Sequence, residues 1–80
     1  MITPAQIRAA RALLGWHQSD VARAAGVSLN TLNNLERGVV DARSSTVNAV
    51  QGALERAGIE FIAEGVRRRP TTPSTQDNAS

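Results

Sequence analysis

Eighty residues make one domain at most, and a domain this small is marginal without help from a partner. No cysteine is present and His17 is the lone histidine, which excludes a disulfide framework and makes a zinc site untenable. No apolar run approaches the ~20 residues of a membrane span, and the N-terminus lacks the apolar core of a signal peptide, so a soluble cytoplasmic protein is expected. All nine basic residues are arginine. Arg8, Arg11, Arg23, Arg37, Arg43 and Arg56 are matched in number by Asp20, Glu36, Asp41, Glu55, Glu60 and Glu64, so the excess lies in Arg67, Arg68 and Arg69. A basic sum is weak evidence for nucleic acid; where the charge sits matters more.

The first helix starts at Thr3-Pro4-Ala5-Gln6. Thr3 can cap it, Pro4 suits its first position and Gln6 can reach back to complete a capping box. Ile7, Ala10, Arg11 and Leu14 follow at helical spacing, and Gly15 suits a left-handed stop. A second helix over 18–25 buries Val21, Ala22 and Ala25, and Gly26 ends it with a sharp turn. Ser28 caps a third helix that runs to Arg37, with Leu32 and Leu35 inward, Val27 packing beneath and Gly38 closing it.

Residues 39–43 read as a connecting loop. Ser44 or Ser45 caps a fourth helix with Val47, Val50, Leu54 and Ala57 on one face, ended by Gly58. Gly52 within it costs about 1 kcal/mol relative to alanine. It is either a tolerated surface glycine or the point where a neighbouring helix comes close. Residues 59–63 are rich in β-formers and apolar on both faces, because Ile59 and Phe61 alternate with Ile62. They read as a strand whose second face another subunit covers, or as a short extension of the helical core. A Glu64-Gly65 turn would return the chain along Val66 to Arg69 and set Glu60 opposite Arg69. The segment from Pro70 to Ser80 is too polar to offset the entropy of ordering and is expected to be a disordered tail.

The stretch from Gln18 to Gly38 carries the function. Two helices crossing steeply through a short turn need a small residue under the crossing (Ala22) and a glycine in the turn (Gly26). They also need apolar residues at Val21, Ala25, Val27, Leu32 and Leu35 to hold the pair against the first helix. The run Gln18-Ser19-Asp20-Val21-Ala22-Arg23-Ala24-Ala25-Gly26-Val27-Ser28, with Thr31-Leu32-Asn33-Asn34-Leu35-Glu36-Arg37-Gly38, resembles the phage-repressor-like helix-turn-helix regulators of the XRE family. The resemblance covers roughly residues 2–57.

That resemblance implies an all-α fold: a repressor-like DNA-binding domain of four to five helices, with a short C-terminal strand or hairpin at a dimer interface. It divides the chain into a helix-turn-helix domain (1–58), a dimerisation strand or hairpin (59–69) and the tail (70–80). It also implies that the third helix lies in the major groove of double-stranded DNA while the second crosses the backbone. Leu29, Asn30 and Asn34 then fall at base-reading places with Thr31 and Asn33 beside them. Gln18, Ser28, Arg37 and Arg43 are the phosphate candidates, and Arg11 and Glu36 match a structural ion pair between helices one and three. A homodimer pairing through Ile59, Phe61 and Ile62 is expected. The implied setting is the cytoplasm of a bacterium, or a phage-encoded protein acting there at the nucleoid.

Side-chain chemistry agrees with these roles. Asparagine can bond bidentately to adenine and Leu29 can meet a thymine methyl, whereas the third helix has no arginine before Arg37 to read guanine. Half-sites with at least one A·T pair facing Asn30 or Asn34 are therefore expected. His17 stands where relatives often carry Ser or Thr. It is read as a solvent-facing loop residue, with a phosphate contact in its protonated form as the alternative, and Asp20 recovers part of the lost cap through the helix dipole.

Trp16 reads as a packing residue. Arg67 to Arg69 either follow phosphate or keep a strand edge soluble. Three asparagines on one exposed helix are poor helix formers, which favours function over a plain polar face. No nucleophile–base pair, carboxylate pair or phosphate loop can be assembled, so no enzyme, cofactor, metal or small-molecule ligand is expected. A rival role is the antitoxin of a toxin–antitoxin pair, binding a protein partner through its tail as well as DNA.

Overall fold

The computed structural model describes residues 2–38 and 44–69. Four helices, α1 (Pro4–Leu14), α2 (Gln18–Ala25), α3 (Leu29–Arg37) and α4 (Ser44–Arg56), are followed by a hairpin of β1 (Ile59–Ile62) and β2 (Gly65–Arg68). The expected all-helical domain with a C-terminal hairpin is the observed fold. The 39–43 connection, Arg43 and the 70–80 tail lie outside the described residues.

Local chemistry starts and stops these helices where the residues suggest. Thr3 Oγ1 accepts from the Gln6 amide at 3.1 Å and Gln6 Oε1 accepts from the Thr3 amide at 2.9 Å, a complete capping box. The Trp16 amide reaches back to the Arg11 carbonyl and the Val27 amide to the Ala22 carbonyl, each at 3.0 Å, closing α1 and α2 with the same left-handed stop. Gly26 has φ 73°, and nothing lies within 4 Å of where a Cβ would stand. Glycine is therefore required there by backbone conformation and not by crowding.

Ile7, Val21, Leu32, Val50, Leu54 and Ile59 are the largest fully buried side chains, drawn from all four helices and β1. Ala10 and Ala22 are buried among them, and Trp16, Val27, Phe61 and Val66 pack against this centre. Small residues let the helices approach closely, which suits a core with only two aromatics.

The structure decides one open alternative and corrects one local expectation. Ser44 and Ser45 are the first two residues of α4, and the capping expected of one of them lies outside the described residues. A Cβ on Gly52 would meet only Arg56 Nη1 among the described residues, at 3.3 Å, which supports the surface-glycine reading over close approach of a neighbouring helix. The hairpin turns at Ala63 and Glu64, not at Glu64 and Gly65: Ile62 pairs with Gly65, Phe61 with Val66, Glu60 with Arg67 and Ile59 with Arg68.

Glu64, in the turn, takes a left-handed φ of 65°. Alternation could not separate the two registers, because both place Val66 on the face shared by Ile59 and Phe61. Tertiary contact decides between them. Gln6 Nε2 donates to the carbonyls of Ile62 at 2.7 Å and Gly65 at 2.9 Å, gripping the pair that closes the loop. The observed register also sets Val66 directly across from Phe61, so both pack on the core.

Candidate nucleic-acid interface

The turn between α2 and α3 presents one exposed surface over a buried one. Val21, Ala22, Leu32, Leu35 and Glu36 face inward. Ser28 caps α3: its Oγ accepts from the Thr31 amide at 3.0 Å and donates to Thr31 Oγ1 at 2.8 Å. Leu29, the first residue of α3, is 51% exposed although apolar, and Asn30 beside it is exposed as well. Asn34 is half-buried one turn further on. Among the described residues neither Asn30 nor Asn34 makes a side-chain hydrogen bond, so both amides keep their full donor and acceptor capacity.

Behind this surface the three helices are joined at Glu36, which is 2% exposed. Arg11 holds it in a fork, Nε to Oε2 at 2.7 Å and Nη2 to Oε1 at 2.9 Å, and donates through Nη1 to the Trp16 carbonyl at 3.2 Å. Arg8 Nη1 donates to the Glu36 carbonyl, satisfying one of the carbonyls left open at the end of α3. The expected Arg11–Glu36 ion pair is therefore present, and it sets α3 against α1.

A helix-turn-helix family model matches residues 7–59, more than half of the chain and all of this surface. The chain belongs to the XRE-type helix-turn-helix family. It is a DNA-binding transcription regulator. No curated protein matches it.

In this XRE-type domain the phosphate candidates separate. Gln18 is turned inward: its Nε2 donates to Glu36 Oε1 at 3.1 Å and to Asn33 Oδ1 at 3.4 Å. The donor that a phosphate would need is engaged within the protein. His17 makes no side-chain cap bond. Asp20 compensates, its Oδ2 accepting from the His17 amide at 2.8 Å. Ser28 is engaged with Thr31, Arg37 is exposed at the end of α3, and Arg43 lies outside the described residues.

The basic run of the regulator has structural partners that its sequence did not announce. Arg67 pairs with Glu60 across the hairpin, and Arg69 Nη2 donates to the Glu55 carbonyl at 3.0 Å, closing the end of α4. Only Arg68 has no such partner among the described residues. Of the three residues assigned to dimerisation, Ile59 is fully buried in the domain's own core, and Phe61 is half-buried against that core on the same face. Ile62 is 47% exposed on the other face.

The sequence reading missed the Gln18–Asn33 link, the carbonyl contact of Arg8 and the grip of Gln6 on the hairpin. Each joins residues distant in the chain, so no local pattern marks them.

Proposed function

We propose that this regulator is a repressor that binds a palindromic operator as a homodimer, with α3 in the major groove and the start of α2 on the phosphate backbone. The observation that carries the reading is the character of α3. One face is buried by Leu32, Leu35 and Glu36, while the other carries an exposed, apolar Leu29 beside two amides that make no side-chain hydrogen bond among the described residues. An exposed leucine and asparagines, which are poor helix formers, are costly choices for the free domain, but they match a thymine methyl and an adenine edge. Two such units on half-sites roughly 34 Å apart multiply the discrimination that one small unit lacks. Repression then follows from occupancy, since a bound dimer excludes other proteins from the same DNA. Nothing here favours the antitoxin alternative, whose partner-binding tail lies outside the described residues. No catalytic role is proposed.

Selection from random duplexes at two salt concentrations tests this, with wild type beside an Asn30→Ala, Asn34→Ala double variant. The expected result is a palindromic consensus with A·T pairs in each half-site, lost in the variant, and affinity falling steeply as salt rises. No enrichment, or equal weak binding by both proteins, would overturn the operator reading.

A further inference from the structure

The protein itself sets the hydrogen-bonding polarity of one side chain on the α3 surface. The argument starts at Glu36, whose carboxylate, paired with the Arg11 guanidinium, is an acceptor only. Gln18 meets its Oε1 at 3.1 Å, so the end of Gln18 turned towards Glu36 must be the amino group. The same nitrogen lies 3.4 Å from the side chain of Asn33 and has a second hydrogen to give. Asn33 must answer with its carbonyl oxygen, which leaves its own amino group at the end turned away from Gln18. A buried carboxylate thus orders two amides in succession.

We propose that Asn33 is a specificity-determining residue that donates to a hydrogen-bond acceptor on a base edge, guanine O6 or thymine O4, because Gln18 and Glu36 hold its amino group outward. This rests on the placement of α3 in the major groove proposed above. Asn33 follows Leu29 by four residues and Asn30 by three, so it shares their strip of the helix surface. Asn30 and Asn34 make no side-chain hydrogen bond among the described residues and can pair with adenine through both ends of the amide. Asn33 cannot do so without breaking its bond to Gln18. At the corresponding place adenine and cytosine present an amino group, a donor facing a donor.

Base selection on the full chain with wild type, Asn33→Asp and Gln18→Ala tests the inference. Wild type should show one position per half-site that prefers guanine or thymine. Asn33→Asp still accepts from Gln18 but presents an oxygen outward, so preference at that position should move to cytosine or adenine by about tenfold. Gln18→Ala releases the amide, and the same position should then admit adenine as well. Unchanged preferences in both variants would overturn the assignment while leaving the operator reading intact. Uniform weakening with no change of preference would place the amino group on a phosphate and also overturn it. If Asn33→Asp loses its helical circular dichroism, Gln18→Ala decides. No enrichment by wild type overturns the operator reading and this inference together, and so is distinct from the other outcomes.

Discussion

The side-chain nitrogen of Gln6 donates to the carbonyl of Ile62 at 2.7 Å, so the residue that completes the cap of α1 also holds the tip of the hairpin. Its oxygen accepts from Thr3 and its nitrogen serves two hairpin carbonyls, which leaves this nearly buried amide fully engaged.

Gln6→Leu should therefore do more than weaken a cap. Losing the cap acceptor and two donated bonds is expected to lower stability by about 2 kcal/mol in urea unfolding. Hydrogen exchange should quicken first in β1 and β2, with α3 little changed. Equal loss of protection in every element would show that the hairpin is not held at this point.

Glu36 is the second junction. Glu36→Ala leaves the Arg11 guanidinium without its partner and is expected to cost about 3 kcal/mol. Arg11 keeps partial access to solvent, which holds the cost to the lower end for a broken buried pair. The double variant Arg11→Met, Glu36→Leu should recover most of that loss, because two apolar side chains replace two desolvated charges. Thermal unfolding of wild type, Arg11→Met, Glu36→Leu and the double variant gives the coupling, and Glu36→Ala gives the cost of the broken pair.

Two glycines should respond in opposite directions. Gly26→Ala forces a side chain into a left-handed conformation and is expected to cost about 1–2 kcal/mol, although there is room for the methyl group. Gly52→Ala should stabilise α4 by up to about 1 kcal/mol, since only the movable end of the exposed Arg56 must shift. Urea midpoints of the two variants check both signs.

The hairpin separates association from folding. Ile62→Glu is expected to abolish the proposed dimer while leaving the circular dichroism of the monomer unchanged, because this side chain is already half in water. Ile59→Glu should instead unfold the domain, since it places a charge at the centre of the core. Sedimentation of both variants measures this, and an intact Ile62→Glu dimer would move the interface elsewhere on the molecule.

The sequence by itself determined the helices, the turn between α2 and α3 and the family. Caps, left-handed glycines and the apolar period act within a few residues, and Thr3-Pro4-Ala5-Gln6, Gly26 and Ser28 each meet a local requirement that few other residues satisfy. Even the Arg11–Glu36 pair, distant in the chain, was legible through the family resemblance, because the α2–α3 pattern brought its geometry with it. Only the tertiary structure decided the hairpin register, the burial of Ile59, the inward turn of Gln18 and the partners of Arg67 and Arg69. Strand alternation repeats every second residue, so a register slipped by two looks the same until Gln6 grips one pair of carbonyls. A polar side chain can likewise face water or protein with equal local cost, and what chooses is a buried partner such as Glu36, placed there by packing far away in the chain.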